Sequence, residues 1–334
     1  MSFPRTRLGL ALARGIAVML VLAAASTACS SADPKGKAGG AGGGEASAGA
    51  EAPTADVTPE KAQIGAYLQI SGRTISESLA LRKQQLGRDP QILQWFYKWT
   101  DDLPKTYPNA PAGTKVMVSW HGTSYASVNS GAEDARIRKN AKALKAYGKP
   151  IYVRWAFEMN GNWFPWSGVK QGSDPSKFVA AWRRIHGIFK AEGATNVQWV
   201  WSVNWGSEPA AEWNSIDKYY PGDEYVDVAG VDGYSNGTTT PEDLFGDFYK
   251  KYAPRKPIMI TETSVRDAGG TTVPDWIGLL AEWAATHPKL VGIIWFDTNG
   301  HVNWSGRIED WRVDRSPESL AAYKKLFNHP RFAA

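Results

Sequence analysis

Two carboxylates and one arginine carry the chemistry that this sequence can perform. Glu158 and Glu262 each close a β-rich run, and Arg154 stands four residues before Glu158. Around Glu158 the chain reads Arg154-Trp155-Ala156-Phe157-Glu158-Met159-Asn160-Gly161-Asn162-Trp163-Phe164-Pro165-Trp166, a stretch crowded with aromatic rings. A carboxyl beside Trp and Phe is less well solvated than in water, which raises its pKa and suits it to donate a proton. With an ionised partner it forms the two-carboxylate device that cleaves a glycosidic bond. One group protonates the leaving oxygen while the other attacks the anomeric carbon. A gap of about 5 to 5.5 Å between the carboxyl groups would mean retention through a covalent intermediate. Arg154 points to the same strand face as Glu158 and is placed to pair with Glu262 and keep it ionised. Each of these residues, taken singly, also fits a structural ion pair.

Such groups need strands to position them. Eight β-rich runs are expected at 64–70, 92–99, 115–121, 151–158, 197–203, 226–232, 257–262 and 290–296. A polar, Arg-containing segment joins the first two. Helical patterns separate the later ones. Ile137, Ala141 and Leu144 share one face, with Gly148 as the stop. Asp174-Pro175 opens a helix that turns Phe178, Trp182, Ile185 and Phe189 inward. Further helices are expected at 245–252, through Trp276, Leu280 and Trp283, and from Ser316-Pro317 with Leu320, Tyr323 and Phe327 inward.

This alternation predicts an α/β chain folded as a single (β/α)8 TIM barrel over residues 59–334. A doubly wound sheet would alternate as well. However, no Gly-rich phosphate loop follows the first strand, and His121, Glu158, Asn204, Tyr234, Glu262 and Trp295 fall at the carboxyl ends of strands. Barrel active sites are built there. The fourth and seventh strands lie three apart in a closed barrel, so Glu158 and Glu262 can face each other across its mouth.

Composition narrows the partners. The chain has 334 residues, 43% of them hydrophobic, and a formal net charge of +5. Arg5, Arg7 and Arg14 lie in a leader without acidic residues; setting them aside leaves 35 basic against 33 acidic residues. No basic patch argues for nucleic acid. Cys29 is the sole cysteine, which excludes an intrachain disulfide and a cysteine-based metal site, and the five His show no ligand spacing. No metal or cofactor is expected, and the domain is expected to be monomeric.

Residues 1–28 resemble a bacterial export signal, with a positive start and an apolar run from Ile16 to Ala25 too short to span a bilayer. Ser26-Thr27-Ala28 precedes Cys29 as in a lipoprotein signal, in which Cys29 would be lipidated; Ser stands where such signals prefer Leu three residues before it. An ordinary secretion signal is the other reading. Residues 29–58 are rich in Gly, Ala and Ser and are expected to form a solvated tether between anchor and domain. The expected location is outside the cell membrane, anchored by lipid or secreted.

Three segments carry a family resemblance. Arg154-x-x-x-Glu158-Met159-Asn160-Gly161-x-Trp163-Phe164-x-Trp166 resembles the acid/base signature of glycoside hydrolase family 26. Tyr220 through Tyr234 is similar to its sixth-strand segment, and Ile260-Thr261-Glu262-Thr263 to its nucleophile strand. The resemblance implies a retaining (β/α)8 enzyme with Glu158 as acid/base and Glu262 as nucleophile. It also implies that His121, Trp163, Tyr234 and Trp295 line the subsite of the reacting sugar. Family members are mainly endo-β-1,4-mannanases, with some mixed-linkage β-glucanases and β-1,3-xylanases. The chain departs at Phe157, where the family commonly carries a His expected to touch the nucleophile and the sugar near its 2-hydroxyl.

The 16 tryptophans divide between sugar platforms and core. Trp163 and Trp295 are the expected platforms. Trp166, Trp205 and Trp304 fall in loops suited to outer subsites, and Trp182, Trp276 and Trp283 sit on helix core faces. Asp232 and Asp297 also end strands; they would either hold loops or bond sugar hydroxyls, the loop role being preferred. Together with the resemblance, these residues predict an endo-β-glycanase acting on a β-linked polysaccharide, with β-1,4-mannan first as the resemblance implies. A β-1,3-1,4-glucanase or xylanase, a non-catalytic carbohydrate-binding protein on a hydrolase scaffold, and a processing enzyme for the organism's own surface polysaccharide are the alternatives.

Overall fold

The computed structural model describes residues 61–302, 306 and 308–332. The leader with Cys29, the tether to residue 58, the expected domain start at 59 and Trp304 lie outside the described residues. Eight parallel strands close into one barrel: β1 (Gln63–Gln69), β2 (Ile92–Tyr97), β3 (Lys115–Trp120), β4 (Ile151–Trp155), β5 (Val197–Asn204), β6 (Val228–Ser235), β7 (Ile258–Val265) and β8 (Leu290–Thr298). The helices are α1 (Ile75–Leu86), α2 (Tyr125–Ser130), α3 (Asp134–Tyr147), α4 (Pro175–Ala191), α5 (Pro241–Tyr252), α6 (Thr272–Thr286) and α7 (Pro317–Phe327). A chain of this α/β pattern thus forms the expected (β/α)8 barrel.

Side chains alternate across a strand, so each strand serves two cores. Facing outward, Val116, Val118, Trp155, Trp201, Ile260 and Ile293 pack with helix residues such as Ile137, Phe178, Trp182, Ile185 and Phe245. Facing inward, Ile92, Met117, Tyr152, Val200, Val228, Met259 and Ile294 fill the lower barrel. Two residues further along five of these strands the interior becomes polar: Gln94, Ser119, Arg154, Ser202 and Thr261 are all at most 1% exposed. This switch from an apolar to a polar layer places the chemistry at the carboxyl-terminal mouth.

Two differences from the sequence expectation have local causes. Residues 75–86 form α1, where a polar connection was expected. Thr74 and Glu77 make a reciprocal capping box at its start, and Gly87, at φ 91°, ends it in the left-handed region. Its inward face carries Ser78 and Arg82 beside Leu79 and Leu86, so it shows no apolar stripe. Arg82 can be buried because Asp297 and Asp314 bond its guanidinium at 2.6 and 2.8 Å. The second difference is in β4, which ends at Trp155 instead of running to Glu158.

Candidate active site

Glu158 reaches the mouth of the barrel through a bend rather than along a strand. Ala156 and Glu158 both take the left-handed backbone conformation, at φ 45° and 51°. Each costs of order 1–3 kcal/mol in a residue with a Cβ, so the surroundings must impose it. The Ala156 amide donates to the Trp120 carbonyl (3.0 Å) and the Glu158 amide to the Ser202 carbonyl (3.1 Å). Asn160 anchors the loop beyond Glu158: its side chain donates to the Asn204 carbonyl (2.8 Å) and accepts from the Asn204 amide (2.9 Å). Gly161 is required here, because a Cβ would stand 2.4 Å from the ring of Trp163. The indole crosses that gap, and its Nε1–H donates to Glu158 Oε2 at 2.8 Å. Asn204 Nδ2 donates to Glu158 Oε1 at 2.9 Å.

Glu262 is turned inward by a bulge. The pairing of β6 with β7 matches Val231 to Ile260 and then Asp232 to Glu262, leaving Thr261 as an extra residue. A bulge of this kind re-aims the side chains beyond it. Thr261 and Glu262 consequently both face the interior, Thr261 donating to Asp232 Oδ1 at 2.5 Å. Glu262 Oε1 accepts from Arg154 Nη2 and, at 3.4 Å, from Gln94 Nε2. Its Oε2 accepts from the Tyr234 hydroxyl at 2.7 Å.

Arg154 joins the strands across the barrel. It is fully buried, and its Nη1 donates to both oxygens of Asp232 at 2.9 and 2.7 Å. Its Nε donates to Ser119 Oγ at 3.1 Å. The expected pairing of Arg154 with Glu262 is present, and Asp232 shares it. Asp232 is therefore neither a loop holder nor a sugar ligand, as had been expected, but the second counter-ion of Arg154 at 0% exposure. Asp297 holds a loop by accepting from the Val313 amide as well as from Arg82.

Burial shapes the electrostatics of the site. Burial, reinforced by the nearby charge of Glu262, pushes Glu158 up to about 7, against the bonds from Asn204 and Trp163 and the charge of Arg154. Burial likewise pushes Asp232 up, against the pull of Arg154. Burial and the Glu262 charge hold the Tyr234 phenol protonated, so it stays a donor to Glu262. Burial lowers His121 below its ordinary value of 6.5, favouring neutral imidazole.

The aromatic surroundings differ from those expected. Trp163 is half-buried on Glu158, Tyr234 is on Glu262, and Asn204 is on Glu158. His121 lies edge-on to Phe157 and Phe96, with centroids 5.9 and 6.5 Å apart. Trp295 is not a platform. It points out of the barrel, because Ile294 and Phe296 take the inward positions, and it packs on Trp276 and Tyr323 with Nε1–H donating to the Trp311 carbonyl. Trp166 is also no exposed outer surface: at 3% exposure it stacks on Phe164 at 4.3 Å and donates to the Phe157 carbonyl. Trp205 is 43% exposed, beside Asn204. An unanticipated wall of Tyr67, Phe96 and Phe296 stands near Glu262, with Phe296 stacked on Tyr67 at 4.8 Å and edge-on to Tyr234 at 5.8 Å. Gln94, Tyr67 and Phe296 could have been found by stepping in twos from the apolar inner layer. Among the described residues no group of three His, Cys, Asp or Glu could hold a metal ion.

Comparison with known proteins agrees with this geometry. Residues 93–330 match Glycosyl hydrolase family 26. Endoglucanase H of Acetivibrio thermocellus is 35% identical over 282 residues, which are 79% of this chain and 30% of that protein. Mannan endo-1,4-beta-mannosidase A and B of Caldalkalibacillus mannanilyticus is 26% identical over 184 residues, 52% of this chain and 34% of that protein. The chain thus spans about a third of the length of these two curated relatives. The catalytic domain of a Bacillus sp. JAMB-750 endo-beta-1,4-mannanase superposes with a TM-score of 0.62 at 17% identity, covering 82% of this chain and 87% of that one.

Proposed function

This chain belongs to glycosyl hydrolase family 26, and from that premise we propose that it is an endo-β-glycanase that cleaves its polysaccharide with retention of configuration. The observation that carries the reading is the different surroundings of two glutamates at one mouth. Glu262 accepts hydrogen bonds from the Arg154 guanidinium and the Tyr234 hydroxyl, and Glu158, pushed up to about 7, keeps its proton over a wider pH range than an ordinary carboxyl. Glu262 attacks the anomeric carbon while Glu158 protonates the departing oxygen. Glu158, now ionised, then takes a proton from the water that releases the sugar from Glu262. Trp163 orients Glu158, and its half-buried ring offers a face for the sugar.

β-1,4-Mannan is the first substrate, supported by the mannan endo-1,4-beta-mannosidase among the relatives. A β-glucan is the second reading, supported by endoglucanase H and by Phe157 at the family's His position. Lipidation of Cys29, with the domain tethered as a monomer to the outer face of the membrane, is part of the same proposal, simple secretion being the alternative; labelled fatty acid incorporation that survives Cys29→Ala would overturn it. The test of function is new reducing ends from galactomannan, glucomannan, barley β-glucan and xylan, beside a Glu262→Ala variant. The proposal expects release from at least one polymer and none from the variant. No release from any polymer would favour a binding protein, and release by the variant would remove Glu262 as nucleophile.

A further inference from the structure

Every nitrogen of the Arg154 guanidinium makes a hydrogen bond, and its central carbon sits over the ring of Phe157. The Nε, Nη1 and Nη2 groups are directed in plane at Ser119, Asp232 and Glu262. The ring of Phe157 lies 4.2 Å from the guanidinium carbon, and Phe96 lies further off at 5.7 Å. A cation over a ring in this way is held by the ring quadrupole, and more firmly where water is excluded. Phe157 is 2% exposed and is itself fixed on every side. Its ring meets Phe96 (5.5 Å), Phe164 (5.3 Å) and Trp166 (5.4 Å) edge-on. Its carbonyl accepts from Trp166 Nε1 at 2.8 Å. Its neighbours Ala156 and Glu158 are both in the left-handed conformation. The bend that delivers Glu158 to the mouth therefore also lays the Phe157 ring on Arg154.

We propose that Phe157 is a positioning residue: its ring clamps the Arg154 guanidinium flat against Glu262 and Asp232 and keeps water off its face. The proposal rests on Glu262 being the nucleophile. A guanidinium free to tilt would share its Nη2 proton with water instead of aiming it at Glu262, and the attacking oxygen would lose its fixed direction. The clamp acts on the chemical step and leaves substrate contacts alone, so its loss lowers kcat more than it raises KM.

Three variants separate the clamp from simple filling. Phe157→Leu keeps an apolar side chain without a π face, Phe157→Ala opens the site, and Phe157→Tyr keeps the face. Leu and Ala are expected to lower kcat by about tenfold or more with KM within about threefold, and Tyr to stay within about threefold of the parent. A second readout needs no turnover: exchange of the Arg154 Nε–H with solvent, monitored by NMR and assigned by its loss in Arg154→Lys. It is expected to quicken by about tenfold in Phe157→Leu and to stay slow in Phe157→Tyr. Parent-like kcat and exchange in Phe157→Leu would overturn the clamp. So would a rise in KM at constant kcat, which would make Phe157 a sugar contact. So would a fall in melting temperature that tracks activity in all three variants, which would make it filler. If the intact protein hydrolyses no polymer, the proposed function fails, and the exchange rate still decides the clamp.

Discussion

Replacing Trp163 by Phe should move the alkaline limb of the pH–rate profile to higher pH. Trp163 Nε1–H donates to Glu158 Oε2 at 2.8 Å, and that bond favours the charged carboxylate. A hydrogen bond to a charged group contributes about 1.5 to 3 kcal/mol, one to a neutral group about 1. Removing the donor therefore costs the ionised form about 0.5 to 2 kcal/mol more than the protonated form, or roughly one pH unit. Glu158 must be protonated to act as the acid, so activity falls as pH rises through its pKa. In the parent that fall is expected near 7; in Trp163→Phe it is expected near about 8. The assay is kcat/KM on a soluble polymer, from about pH 5 to about pH 9, read as reducing ends. Phe retains a ring face, so kcat in the acidic plateau should stay within about threefold. An alkaline limb that stays put or moves down would refute the assignment of Glu158 and of the bond that tunes it.

The same geometry sets two outcomes for stability. Glu158 binds its proton more tightly when folded, so from about 4.5 to about 7 the folded protein holds more protons than the unfolded chain and loses stability as pH rises. Glu158→Gln should remove most of that loss, a gain of about 2 to 3 kcal/mol at pH 8 and little at pH 4, read from denaturant midpoints; no gain at pH 8 would contradict it. Trp295→Phe should cost about 1.5 to 3 kcal/mol of stability through the lost bond to the Trp311 carbonyl and the space left behind, with KM unchanged. A higher KM at parent stability would return Trp295 to the sugar.

The barrel was legible because eight buried β-rich runs and their helices leave a strong period in the chain. α1 was hidden because Arg82, a charged residue, occupies its inward face, and its partners Asp297 and Asp314 lie more than two hundred residues away. Both glutamates were legible as residue types near the carboxyl ends of strands, but not that Glu158 lies past the end of β4 in a bend, that Glu262 lies within β7, or how they are aimed. The left-handed pair at Ala156 and Glu158 and the extra residue at Thr261 leave no mark in a period-2 pattern, yet they turn both carboxylates toward the barrel mouth. Trp295 misled because aromatic character was weighed above alternation. With Ile294 in the inner core, Phe296 faces the mouth and Trp295 the helices. Phe157 stood out only as a departure; the cation beneath it explains what the ring does there.

The central claim is that Glu262 attacks the sugar directly while Glu158 serves first as acid and then as base. The most direct test is the 1H NMR spectrum of the products in the first minutes of polymer hydrolysis, before the anomers equilibrate. Attack by Glu262 and then by water gives two inversions, so the account predicts that the β-anomer appears first. The α-anomer appearing first would mean direct attack by water, and would contradict the assignment of Glu262 as nucleophile.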